Sequence, residues 1–151
     1  MVTKKLVNKI ALEFLHANVT TSLKLRFVGH SVSAGFPSPA DDFLQDDLDF
    51  NRDMVKNPSS TFYVRVSGNS MKDAGIDNGD ILVVDRSLEP RNGDIAVCWL
   101  DGEFTVKTIL IEKEFVWLVA QNDEYKPIKV TPDNELTIWG VVAHNIKSFR
   151  K

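Results

Sequence analysis

From Thr61 to Ile146 the chain carries seven short runs rich in β-branched and aromatic residues: TFYVRV, GDILVVD, GDIAVCWL, EFTVKTILI, FVWLVA, PIKV and LTIWGVVAHNI. Turn residues separate them, and Asn78-Gly79, Asn92-Gly93 and Asp101-Gly102 are turn signals of the hairpin type. No helical pattern between the runs is long enough for a crossover, which excludes a parallel βαβ build and leaves antiparallel pairing. The expected fold is therefore mainly β. It consists of compact, coiled antiparallel sheets or a partial barrel, preceded by an extended, partly helical N-terminal arm. With 151 residues, 43% of them hydrophobic, the chain suits one domain with a real core.

Charge divides the chain where the strand pattern begins. Residues 1–34 hold Lys4, Lys5, Lys9, Lys24 and Arg26 against Glu13, for +4, and residues 35–58 hold six aspartates against Arg52 and Lys56, for −4. The division reads as a basic arm (1–34), an acidic connector (35–58) and a β body (59–151). In the arm, Leu6, Ile10 and Phe14 recur at helical spacing, which predicts an amphipathic helix over residues 5–17. Gly35, Pro37 and Pro39 forbid a helix across residues 31–42 and make that segment extended and accessible. Residues 41–56 then predict a short acidic helix, with Phe43, Leu44 and Leu48 on its apolar side and Asn57-Pro58 as its stop.

Composition excludes several classes of protein. A single cysteine, Cys98, rules out an internal disulfide framework and a cysteine-cluster zinc site, and three scattered histidines offer no metal site, so neither metal nor cofactor is expected. No apolar run reaches membrane-spanning length, and the reading is a soluble protein of the reducing cytoplasm without membrane attachment. A net charge of −3 gives no global reason for nucleic-acid binding.

Two residues could carry chemistry together. Ser70 lies in Ser67-Gly68-Asn69-Ser70-Met71, directly after the strand TFYVRV, where Gly68 permits a sharp turn and backbone N–H groups lie beside the hydroxyl. A serine at a strand end is more often a turn former than a nucleophile, and a nucleophile needs a base. His16, His30 and His144 are poorly placed for that role. The other option is a lysine neutralised by burial, and Lys107, inside EFTVKTILI, is the lysine with apolar surroundings. Taken alone, a single lysine in a strand is more often an edge-strand charge that blocks aggregation.

GFPSPADD (35–42), NPSSTFYVRVSGNSM (57–71), GDILVVD (79–85), DGEFTVK (101–107) and IWGVVAH (138–144) together resemble the LexA/UmuD family of self-cleaving serine proteases, its UmuD-like members in particular. The resemblance spans roughly residues 30–150 in ordered blocks. It implies that Ser70 is the nucleophile, that Lys107 is the general base, and that the bond cut is Ala34–Gly35 within the chain itself. The backbone N–H groups of Ser70 and Met71 would hold the oxyanion, and Val32 would anchor the substrate segment. Small side chains on both sides of that bond and the flanking prolines suit an extended segment in a protease cleft.

The resemblance further implies the following partners: a second copy of the chain in a homodimer, a RecA–single-stranded DNA filament that stimulates cutting, and a UmuC-like Y-family polymerase that the trimmed product serves in error-prone translesion synthesis. Direct sequence-specific DNA binding is not expected. Alanine before the scissile glycine is the LexA-like version of the site and raises the alternative of a LexA-type or phage-type repressor fragment. A helix-turn-helix domain needs roughly 60 residues, however, and the arm offers one amphipathic stretch. A signal-peptidase-like enzyme would need a membrane anchor. The remaining alternative is a non-catalytic β module that binds a polymerase.

Overall fold

A computed structural model describes residues 12–17, 19, 20, 24–28 and 44–150. All seven expected runs are strands: β4 (Thr61–Val66), β5 (Ile81–Asp85), β6 (Ile95–Leu100), β7 (Glu103–Ile111), β8 (Val116–Val119), β9 (Ile128–Val130) and β10 (Leu136–Ile146). With β1 (Leu12–His16) they form one eight-stranded antiparallel sheet in the order β1-β4-β5-β10-β6-β7-β8-β9, open at β1 and β9. The mainly β expectation holds.

The longest strand organises the sheet. The first half of β10 pairs with β6, Leu136 opposite Leu100, and its second half pairs with β5, Ile146 opposite Ile81. Register shifts at Ile138/Gly140 and Val142/His144 mark the crossing between the two partners, where bulges bend the strand. Gly140 sits at this crossing because nothing larger fits: a Cβ there would lie 2.6 Å from Val84 Cγ1 and 3.3 Å from Arg86 Cγ. Gly140→Ala is expected to lower the unfolding free energy by about 1–3 kcal/mol, read as a lower denaturant midpoint at unchanged slope.

Alternation along β6 and β7 builds a core on each face. Val97 and Val106 pack with Val64, Leu82 and Val84 on one side, whereas Cys98 and Ile109 pack with Leu118 on the other. Of the turn signals, Asp101-Gly102 makes the tight β6–β7 hairpin, with φ of 47° and 88°. Asn78-Gly79 and Asn92-Gly93 do not join neighbours tightly. The former closes a long loop between β4 and β5, and the latter lies between β5 and β6, which are separated in the sheet by β10.

The helix expected over residues 5–17 is not what the described part of it forms: Leu12–His16 is β1, with Leu12 opposite Val66 and His16 opposite Phe62. Phe14 explains why. As part of a strand it reaches an aromatic group, its ring centroid 4.9 Å from that of Phe104 and 4.8 Å from that of Trp139, and β1 also satisfies the outer edge of β4. Three apolar residues at helical spacing are too weak a pattern to compete with that burial. Residues 5–11 lie outside the described residues.

Residues 18–56 form a second compact unit. Its β2 (Lys24–Val28) pairs antiparallel with β3 (Leu44–Asp49), Lys24 opposite Asp49 and Val28 opposite Leu44. The acidic helix expected over 41–56 is thus reduced to one turn, Phe50–Asp53, because the segment joins a ladder first. Asp49 starts the turn as its N-cap, its Oδ1 accepting from Asn51 N at 3.0 Å. The intervening stretch, with Val32, Ala34, Gly35 and the prolines, lies outside the described residues.

Candidate active site

The loop after β4 is built to hold a residue still. Gly68 (φ 96°) turns the chain at the end of β4, and its N–H donates to Asn78 Oδ1 at 3.0 Å. Gly79 N donates to Val66 O at 2.7 Å and Val66 N to Asp80 O at 2.9 Å, which closes the base of the loop. Met71, 2% exposed, drives its side chain into the core among Val64, Val66 and Ile76, so the residue before it is held at the edge of that core. That residue is Ser70, half-buried. A 3-10 turn, Lys72–Ala74, ends at left-handed Gly75 and completes the loop.

The base of the loop is braced by the end of β10, next to β5 in the sheet. Asp80 accepts from Asp77 N, Asn145 Nδ2 and Lys147 Nζ at 2.8, 2.9 and 2.6 Å. Burial pushes the Asp80 carboxyl up, but these donors outweigh it and hold the group below the usual range.

Lys107 comes from the middle of β7, opposite Ala96 and on the same face as Cys98 and Ile109. It is 8% exposed, and among the described residues no carboxylate pairs with it. Burial disfavours the ammonium and lowers its pKa from the ordinary lysine value. The same burial pushes the neighbouring Cys98 thiol up to about 12, so that group stays neutral.

The structure brings the two sequence-flagged residues together. Lys107 Nζ lies 3.5 Å from Ser70 Oγ, 2.6 Å from Thr105 Oγ1 and 3.1 Å from Val106 O. Thr105 Oγ1 and Val106 O take up two N–H groups of Nζ, so that once the amine is neutral its lone pair can face the serine hydroxyl. Thr105 was not flagged by the motif reading. The signal was there, since residues i and i+2 of a strand share a face, which sets Thr105 beside Lys107. Among the described residues, the N–H groups of Ser70 and Met71 have no hydrogen-bond partner and remain available to an incoming oxygen. His144, opposite Val83 in β10, makes no hydrogen bond to Ser70.

A buried amine whose pKa is lowered, set beside a serine hydroxyl with free backbone donors next to it, defines a serine hydrolase of the lysine-assisted kind. Comparison with known proteins agrees. The family model "Peptidase S24-like" matches residues 26–143. The chain is 44% identical over 119 residues to protein ImpA of Salmonella typhimurium, covering 78% of this chain and 80% of that one. It is also 44% identical over 116 residues to protein MucA of the same organism, covering 76% and 79%. LexA repressor 2 of Xanthomonas axonopodis pv. citri is 39% identical over 128 residues, 85% of this chain and 59% of that one. The chain belongs to the S24-like peptidase family, in its UmuD-like branch of self-cleaving serine proteases of SOS mutagenesis.

Proposed function

We propose that this chain cuts its own Ala34–Gly35 bond with Ser70 as nucleophile and Lys107 as general base. The observation that carries this is the buried, carboxylate-free Nζ 3.5 Å from Ser70 Oγ. The Lys107 lone pair takes the hydroxyl proton as Oγ bonds to the Ala34 carbonyl carbon, and the oxyanion is held by the Ser70 and Met71 N–H groups. The C–N bond then breaks, Lys107 passes its proton to the Gly35 nitrogen, and residues 1–34 remain as an ester on Ser70. Water, deprotonated by Lys107, hydrolyses that ester and restores the serine. Val32 fills an apolar subsite as the anchor of the segment.

On this reading a RecA–single-stranded DNA filament favours the conformer in which the segment occupies the cleft. The product, residues 35–151, then serves as a homodimeric accessory subunit of a UmuC-like Y-family polymerase in the cytoplasm. The product would carry a side-chain charge of −7 once the +4 arm has left. No helix among the described residues is long and apolar enough to cross a membrane.

Cutting and release are separate steps in this fold. Residues 1–34 include β1, paired with β4 over five positions, and β2, paired with β3, so both ladders outlast the broken bond. The test is to incubate the chain with RecA filament and follow the product by native gel filtration and then in denaturant. A fragment starting at Gly35 is expected sooner than without filament, co-eluting with its N-terminal companion until denaturant is added. No cut with filament overturns the protease assignment. A companion that elutes alone under native conditions overturns the retention.

A further inference from the structure

We propose that Asn122 is a positioning residue for cleavage: its side-chain amide locks the Asn69–Ser70 peptide in the orientation that aims the Ser70 N–H at the carbonyl oxygen under attack. The inference rests on the assignment of Ser70 as nucleophile. Asn122 lies in the loop between β8 and β9, far in sequence from Ser70, and is only 3% exposed. Its Nδ2 donates to Asn69 O at 2.9 Å, and its Oδ1 accepts from Glu124 N at 3.0 Å. With both ends of the amide engaged, the group cannot turn over without losing both bonds.

The consequence follows from peptide geometry. In a trans peptide the C=O and the next N–H point in opposite directions, and the chain has no cis bond among the described residues. A carbonyl of Asn69 held toward Asn122 therefore sends the Ser70 N–H the other way, where it has no partner among the described residues. Rotating the peptide would remove that donor and present a carbonyl oxygen instead, repelling the developing oxyanion. The same loop grips both sides of Ser70. Tyr125 OH donates to Asn69 Oδ1 at 3.1 Å, and Asp73 N donates to Gln121 O at 2.8 Å. Without Asn122 the Asn69 carbonyl keeps one bond, from Lys72 N at 3.2 Å within its own turn.

If the freed peptide spends about 90–99% of its time turned away, cleavage falls by about 10–100-fold; complete loss of an oxyanion donor costs about 10²–10³-fold. The test measures self-cleavage of the full chain from neutral to strongly alkaline pH for wild type, Asn122→Ala, Asn122→Asp and Tyr125→Phe, with a thermal melt of each. The expected result is a plateau lowered about 10–100-fold in both Asn122 variants and several-fold in Tyr125→Phe, with the midpoint of the pH profile unmoved. A residue that merely held the loop together would shift the midpoint, because Lys107 would become wetter, or would leave the plateau unchanged. Either result overturns the proposal. If the Asn122 variants do not fold, Tyr125→Phe decides by the same criterion, since Tyr125 is 46% exposed and its ring is retained. A wild type that never cuts overturns the protease assignment itself, whereas a cutting wild type with fully active variants overturns only the role of Asn122.

Discussion

Lys107→Ala and Ser70→Ala are each expected to reduce self-cleavage by roughly 10⁴-fold or more, and the double variant to be hardly worse than either single one, because in the proposed mechanism base and nucleophile act as a unit. The geometry leaves no substitute. Among the described residues, the hydrogen bonds link Ser70 Oγ to no titratable side chain other than Lys107, and His144 lies along β10 opposite Val83. Lys107→Arg fails as well, since a guanidinium stays charged throughout the accessible pH range and has no lone pair to offer. Quantifying the cut chain on a denaturing gel over time checks all four variants. Cleavage by Ser70→Ala at the wild-type rate would leave a non-catalytic binding module as the surviving account.

The second large effect is that of pH. As the proposed general base Lys107 would act only when neutral, so the rate is expected to climb as pH rises through its depressed pKa and then level off. A flat rate from neutral to mildly alkaline pH contradicts a titrating lysine. The same burial has a cost in stability whose sign is fixed. A folded-state pKa below the unfolded value means that the unfolded chain binds more protons between the two, so stability rises with pH across that interval. Below the folded pKa the full penalty of a buried ammonium is present, and near the ordinary lysine value of 10.5 it vanishes. Lys107→Met, which keeps the volume and drops the charge, is therefore more stable than wild type at neutral pH. Each unit of depression is worth about 1.4 kcal/mol. The advantage shrinks toward alkaline pH, and equal denaturant midpoints at neutral pH would contradict a buried amine with a lowered pKa.

Much of the fold was legible along the chain because its signals are local. Seven β-branched runs punctuated by glycine and asparagine became seven strands, and the sharp turn at Gly68 was recognisable from the residue alone. What escaped is non-local. Nothing in LTIWGVVAHNI says that it lies between β5 and β6, a placement that depends on Gly140 fitting against Val84. The strand β1 reads as helix until Phe104 and Trp139 supply a site for Phe14.

The site divides in the same way. Ser70 and Lys107 stand out by residue type and surroundings, and their meeting across 37 positions of sequence follows from the pairing of β6 with β7 and the loop held by Met71. Thr105 was readable from strand periodicity. Asn122 was not, because a loop asparagine gains its significance only when folding sets its amide against the carbonyl before Ser70.

The central claim is that a neutral Lys107 and Ser70 cut the chain after Ala34. Its most direct measurement is the intact mass of the purified protein, with and without Ser70→Ala, after incubation at alkaline pH. The account predicts a wild-type product whose mass and N-terminal sequence begin at Gly35, accumulating faster as pH rises, and an uncut Ser70→Ala chain. An uncut wild type, or a product beginning at another residue, would contradict it.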